Sequence, residues 1–178
     1  MSCAKKKQSS NTITALHDKA LAHKLVSLGL NKATASLLTG YHSSVFESSY
    51  VPPKWDHRAK MGWLNQSGAD KAMADRIIRI VDKVYEGNYI RAVDPIQLIE
   101  FYETYMLLHP RDEMTINRIY YTLGHLYERQ LSVTGCPDCG KPMVYLDVKM
   151  HQHCGICENK EQREKIAMRR RRALTKVA

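Results

Sequence analysis

Along the first fifty residues, apolar side chains return at intervals of three and four. Ile13, Leu16, Ala20, Leu21, Leu25 and Leu28 share one helical face between Thr12 and Leu28, and Gly29 follows as a C-terminal stop. Asn31 caps a short second helix whose apolar positions are Ala33, Leu37 and Leu38 and which ends at Gly40. A third segment, Ser43 to Tyr50, has Ser44 three residues before Glu47, the spacing of a capping box, with Val45, Phe46 and Tyr50 to pack. Val51-Pro52-Pro53 ends it. Lys54 to Leu64 is irregular, with Trp55 and Trp63 expected to wedge into the core. Three longer helices follow. Gly68 to Glu86 repeats Ala69, Met73, Ile77, Ile80, Val81 and Val84 at helical spacing, with Asp70, Lys71, Asp75, Arg79 and Lys83 elsewhere on the helix and Gly87-Asn88 terminating it. Asp94 caps a helix with Pro95 at its first position that runs to about His109 through Ile96, Ile99, Tyr102, Tyr105, Met106 and Leu108. Thr115 to Leu131 offers Ile116, Ile119, Tyr120, Leu123, Leu126 and Tyr127. The fold class is therefore mainly α.

The first three segments, residues 12–51, have the dimensions of a helix-turn-helix, in which the last helix presents polar side chains to the major groove. On that reading His42, Ser43, Ser44, Glu47 and Ser48 face DNA, with Lys32 beside them on the preceding helix. A three-helix packing unit without DNA contact is the alternative. Residues 52–131 then form a helical core.

Beyond it the chemistry changes. Four of the five cysteines form Cys136-x2-Cys139-x14-Cys154-x2-Cys157. Each pair can put two thiolates on one cation from a tight turn, and two such turns complete a closed tetrahedral site of four sulfurs, the way structural zinc is held. Gly140 after the first pair and Gly155 inside the second permit the close backbone approach and positive φ of a knuckle. Between the pairs, Met143 to Lys149 has the β-branched and aromatic character of a strand. Residues 132–157 thus read as a four-cysteine zinc ribbon too small to bury a core of its own, stabilised chiefly by one structural Zn2+. A redox dithiol would want a βαβ setting, and a zinc deaminase an HxE and a proline ahead of its cysteine pair, none of which occurs. His151 and His153 stand beside Cys154 and are read as loop histidines rather than ligands.

Charge sharpens the picture. The 27 Lys and Arg against 18 Asp and Glu are unevenly placed: residues 1–32 and residues 158–178 are each +5, and the body between is −1. The segment 1–11 reads as a flexible basic start, and residues 158–178 as a basic tail able to form a helix, ending in Arg169, Arg170, Arg171 and Arg172. Four consecutive arginines cannot all face one groove, so they suit phosphate contact or a solvated tail. No stretch of 18 apolar residues and no secretory signal occurs, so the expectation is an intracellular protein without membrane attachment. At 178 residues, with no P-loop, GxGxxG, GxSxG or paired-carboxylate motif, the chain is too short for a barrel or a two-domain enzyme and reads as non-enzymatic.

Leu28-Gly29 closing the first helix, the Leu38-Thr39-Gly40 turn, Pro52-Pro53-Lys54 with Trp63 shortly after, a helical middle, two C-x2-C pairs and a basic tail together resemble FlhC, the zinc-containing subunit of the FlhD/FlhC bacterial transcriptional activators. The likeness covers most of residues 15–172. It implies a cytoplasmic bacterial protein that forms a hetero-oligomer with a small helical FlhD-like partner. Such a complex would bind double-stranded promoter DNA and recruit RNA polymerase, with Cys136, Cys139, Cys154 and Cys157 as the zinc ligands. The interval between the cysteine pairs is shorter than in the flagellar members, and the lysine-rich start suits the branch that switches on conjugative transfer of mobile elements, such as SetC and AcaC. The rival expectation from another class is a zinc-ribbon RNA-binding or protein-interaction adaptor that reads no DNA sequence.

Overall fold

The computed structural model describes residues 16–52, 61–65, 67–86, 94–145 and 153–175. The basic start, the first turn expected at Thr12, Pro53 to Trp55, Gly87-Asn88, the end of the expected strand at 146–149, and His151 lie outside the described residues. The protein is mainly helical with one small sheet: α1 (16–27), α2 (Lys32–Thr39), 3₁₀ turns at Ser43–Ser49 and Met61–Asn65, α3 (Gly68–Val84), α4 (Pro95–Leu108), α5 (Ile116–Tyr127), β1 (Ser132–Gly135), β2 (Pro142–Tyr145) and α6 (Gly155–Thr175). Two units share these elements, one built from 1–59 and 91–121, the other from 60–90 and 122–178, and the division falls within α5. Each unit thus joins stretches distant in sequence, whereas the sequence reading runs in serial blocks.

In the first unit α1 ends as the sequence predicts. Gly29 takes a left-handed φ of 90°, its N–H reaches Val26 O at 3.0 Å, and Leu30 N reaches Leu25 O at 3.0 Å, a Schellman closure. Asn31 then caps α2 through Ala33 N, and Gly40 stops it at φ 73°. The fully buried amide of Asn117 in α5 locks this corner: its Oδ1 accepts from Asn31 N at 2.9 Å and its Nδ2 donates to Gly29 O at 2.7 Å. Burial selects Ala22, Leu25, Val26 and Leu30 around α1, so Leu16 and Ala20, placed on the inner face by the sequence, stand exposed. In α4 the buried set is Leu98, Ile99, Phe101 and Tyr105, while Ile96, Leu107 and Leu108 face out.

The third segment departs from its expectation. Ser43–Ser49 is a 3₁₀ helix interrupted at Phe46 (φ −120°), whose ring is buried. His42, not Ser44, caps it, its side chain accepting from Ser44 N, and Glu47 reaches away to Lys32 instead of back to the cap. The break in helical geometry thus falls at the one fully buried side chain of the segment.

In the second unit α3 is the central element. Ala72, Met73, Ala74, Ile77, Ile78, Ile80 and Val81 are buried, and Trp63 and Leu64 from the second 3₁₀ turn are buried too, as expected of Trp63. The hairpin pairs antiparallel in the register Val133↔Val144 and Gly135↔Pro142, and both β2 and α6 pack on α3. Both strands flank the first cysteine pair, so Cys136 to Lys141 forms the tip of the hairpin. The strand expected from Met143 begins as β2 at Pro142, and its partner β1 lies ahead of the first pair, where no strand is expected from the sequence. Among the described residues no helix is long and apolar enough to cross a membrane.

Candidate metal centre

Cys136 begins the hairpin tip. Its amide donates to Lys141 O at 2.9 Å and its carbonyl accepts from Gly140 N at 2.7 Å, with Gly140 left-handed at φ 66°, so the turn presents Cys136 and Cys139 on one side. The second pair sits at the start of α6, with Cys154 just before its first residue and Cys157 in its first turn. Cys157 N donates to Cys154 Sγ at 3.4 Å, and Cys154 N donates across to Cys136 Sγ at 3.3 Å. The four sulfurs lie within 4.8 Å of one another, with Cys136 and Cys154 buried, Cys157 half-buried and Cys139 exposed.

This geometry suits a metal. A tetrahedral four-sulfur site with bonds of about 2.3 Å separates its sulfurs by about 3.8 Å, and Cys139 and Cys154 are 3.9 Å apart, far beyond a disulfide bond. The electrostatics agree. Burial and the neighbouring sulfurs push the Cys154 and Cys157 thiols up. Burial also pushes Cys136 up, but hydrogen bonds from the backbone of Cys154, Cys139 and Asp138 outweigh it and bring that thiol down to about 6. Four thiolates this close can all be ionised only around a cation. Cys136, Cys139, Cys154 and Cys157 therefore form a cluster that can hold one metal ion, the set read from the spacing.

The surroundings were not legible as a site. Lys71, Asp75 and Arg79, spaced i, i+4, i+8 on α3, all turn toward the ribbon and α6 rather than to water. Arg79 Nη2 lies 3.2 Å from Cys154 Sγ and 3.7 Å from Cys139 Sγ, and its Nε donates to Pro142 O at 3.4 Å. The fully buried carboxylate of Asp75 accepts from Val144 N at 2.9 Å on β2 and from Gly155 N at 2.7 Å at the start of α6. Burial raises the Asp75 carboxyl above its ordinary value, opposed by those two amides and by the charges of Arg79 and Lys71. Buried Lys71 pairs with Glu158 at 3.0 Å. Gly155 makes the approach possible, since a methyl group there would lie 2.4 Å from Ala72 N. Its glycine serves close packing; of the two knuckle glycines only Gly140 needs positive φ. His153 Nδ1 lies 2.7 Å from Asp138 Oδ2 and is not among the clustered ligands.

The residues expected to face DNA sit in the first unit. His42, Ser44, Glu47 and Ser48 are exposed and Ser43 is half-buried. Lys32 Nζ pairs with Glu47 at 2.9 Å and lies 5.0 Å from the centre of the Tyr50 ring, so these two charges engage each other. An open cleft of about 760 Å³ runs past Asn31, Lys32, Gly40, His42 and Ser43. The backbone of Arg169, Arg170, Arg171 and Arg172 is helical within α6. No protein-family model matches the chain, and no curated protein matches its sequence.

Proposed function

We propose that the chain is a non-enzymatic, DNA-binding activator subunit of the FlhC type, with one structural zinc ion held by Cys136, Cys139, Cys154 and Cys157. The observation that carries this reading is the placement of the second cysteine pair across the start of α6, so that the ion pins the beginning of a helix leading to Arg169–Arg172. At 1.5 Å per residue its 21 residues extend about 31 Å, the reach of roughly nine base pairs of backbone. The zinc supplies rigidity; phosphate contact comes from the helix. The working assembly is a hetero-oligomer with an FlhD-like partner in the bacterial cytoplasm. It binds upstream promoter DNA and recruits RNA polymerase, on conjugative-transfer or flagellar genes.

A second reading is favoured by one observation. Ser43–Ser49 is a short, interrupted 3₁₀ helix, poorly built to lie in a major groove as a reader. It supports a zinc-ribbon RNA-binding or protein-interaction adaptor. Footprinting on promoter DNA, with and without an FlhD-like partner, separates the two: a defined protected site is expected of the activator, and sequence-independent retention or none would establish the adaptor.

A further inference from the structure

On the metal-centre reading, we propose that Arg79 is a positioning residue of the ion, the contact through which α3 holds both cysteine pairs in ligating geometry. It bridges the two pairs, since Cys139 belongs to the hairpin tip and Cys154 to the start of α6, and one guanidinium nitrogen lies 3.7 Å and 3.2 Å from their sulfurs. Its Nε is tied to Pro142 O, so the planar group is oriented from the ribbon side as well. One turn earlier on the same face, Asp75 holds Gly155 N, the amide next to Cys154. Thus α3 supplies a donor to the sulfurs and an acceptor to the backbone that carries one of them.

The charge balance explains why an arginine belongs there. Four thiolates around a dication leave two net negative charges, which burial makes costly. A guanidinium offsets one of them, and its N–H groups withdraw electron density from Cys154 and Cys139. The effect matters most at Cys139, the exposed ligand and so the first in reach of protons or competing chelators. Partners of this kind are worth about 10- to 100-fold in metal affinity.

The test is cobalt titration of the full-length chain, read by the thiolate-to-cobalt absorption bands and by competition with a chromogenic chelator. Arg79→Gln should bind cobalt about 10- to 100-fold more weakly and shift the charge-transfer band to lower energy. Arg79→Lys keeps the charge without the fork and should recover part of both. Lys71→Gln removes the neighbouring contact to Glu158 but touches no sulfur, and should leave the band in place. Unchanged affinity and spectrum in Arg79→Gln would overturn the assignment. If that variant loses its helical signal, Arg79→Lys decides by the same criteria, wild-type behaviour overturning the proposal. A wild-type chain that takes up no cobalt would instead refute the metal centre itself, and the role of Arg79 with it.

Discussion

Replacing Gly155 by alanine tests how tightly the start of α6 must sit on α3. The added methyl would stand 2.4 Å from Ala72 N, 2.8 Å from Lys71 C and 2.9 Å from Ala72 Cα, all backbone atoms of a helix that cannot swing aside. Restoring an ordinary contact of 3.4 Å means withdrawing α6 by about 1 Å. That lengthens the 2.7 Å bond between Gly155 N and Asp75 beyond hydrogen-bond range. A bond to a buried charge contributes about 1.5 to 3 kcal/mol, and overpacking costs about 1 to 3 kcal/mol. Alanine's better helix propensity returns about 0.5 to 1 kcal/mol. The net loss is about 2 to 5 kcal/mol. In urea, with a slope of about 2 kcal/mol per molar, the midpoint should fall by about 1 to 2.5 M. The measurement is the helical circular dichroism of the whole chain at matched free zinc, since ligand mass action otherwise shifts the midpoint. A variant as stable as wild type, or more stable as helix propensity alone would have it, would refute the close packing.

Asn117→Ala should cost the first unit about 2 to 4 kcal/mol, because Gly29 O and Asn31 N lose their shared partner; thermal or urea melting gives the value. Cys139→Ser, or chelation of the native chain, should release the ion and expose the ribbon, seen as loss of hydrogen-exchange protection at Val144 N–H, which bonds Asp75 in the docked state. Acid should act in the same direction, since the ligands must be deprotonated to bind, so metal content measured after dialysis falls as pH is lowered. Replacing Arg169–Arg172 by alanine should lower the salt slope of DNA binding by up to about 3.6, at about 0.9 per phosphate contact; an unchanged slope in a salt titration would assign these arginines to solvent.

The cysteine cluster was legible because its ligands come as two local pairs, each made by a single turn whose spacing survives in the sequence. The hub beneath it was not. Periodicity assigns charged residues to water, and Lys71, Asp75 and Arg79 share a helical face with one another as much as Ile77 and Val81 do. Which face turns inward depends on what covers it, here a ribbon presenting amide N–H groups and sulfurs, a surface that wants polar partners. In α4 the difficulty is opposite: the helix is apolar on nearly every side, so the pattern could not choose Leu98 and Phe101 over Ile96 and Leu108. At Ser43–Ser49 the capping-box spacing is present, yet His42 supplies the cap, Phe46 is buried with non-helical φ/ψ, and Glu47 pairs with Lys32.

With zinc bound as proposed, two sources of stability would meet in the second unit, and their magnitudes decide which one is larger. The polar contacts from α3 to the ribbon and α6 include two amide bonds to Asp75, the Arg79 contacts, the bond from Asn159 Nδ2 to Gly68 O at 2.9 Å and one ion pair to the half-exposed Glu158. The contacts that do not involve the sulfurs, at about 1.5 to 3 kcal/mol for each of the two Asp75 bonds and the Arg79 bond to Pro142, about 0.5 to 1.5 for the neutral Asn159 bond and at most about 1 for the partly exposed pair, contribute about 5 to 11.5 kcal/mol, against roughly 10 to 16 kcal/mol apparent for a structural zinc. The hairpin, with two strands of four residues each, adds the buried side chains of Met143 and Val144. On the proposed zinc reading the ion is the larger of the two sources, and it can hold the two cysteine pairs together even when one α3 contact is removed. The start of α6 shares the fate of the ribbon because Cys154 and Cys157 flank its first residues. Metal loss should thus loosen the start of α6 on α3 more than it disturbs α3 itself, whose apolar face stays buried, a difference that hydrogen exchange resolves by comparing Gly155 N–H with amides near Ile77.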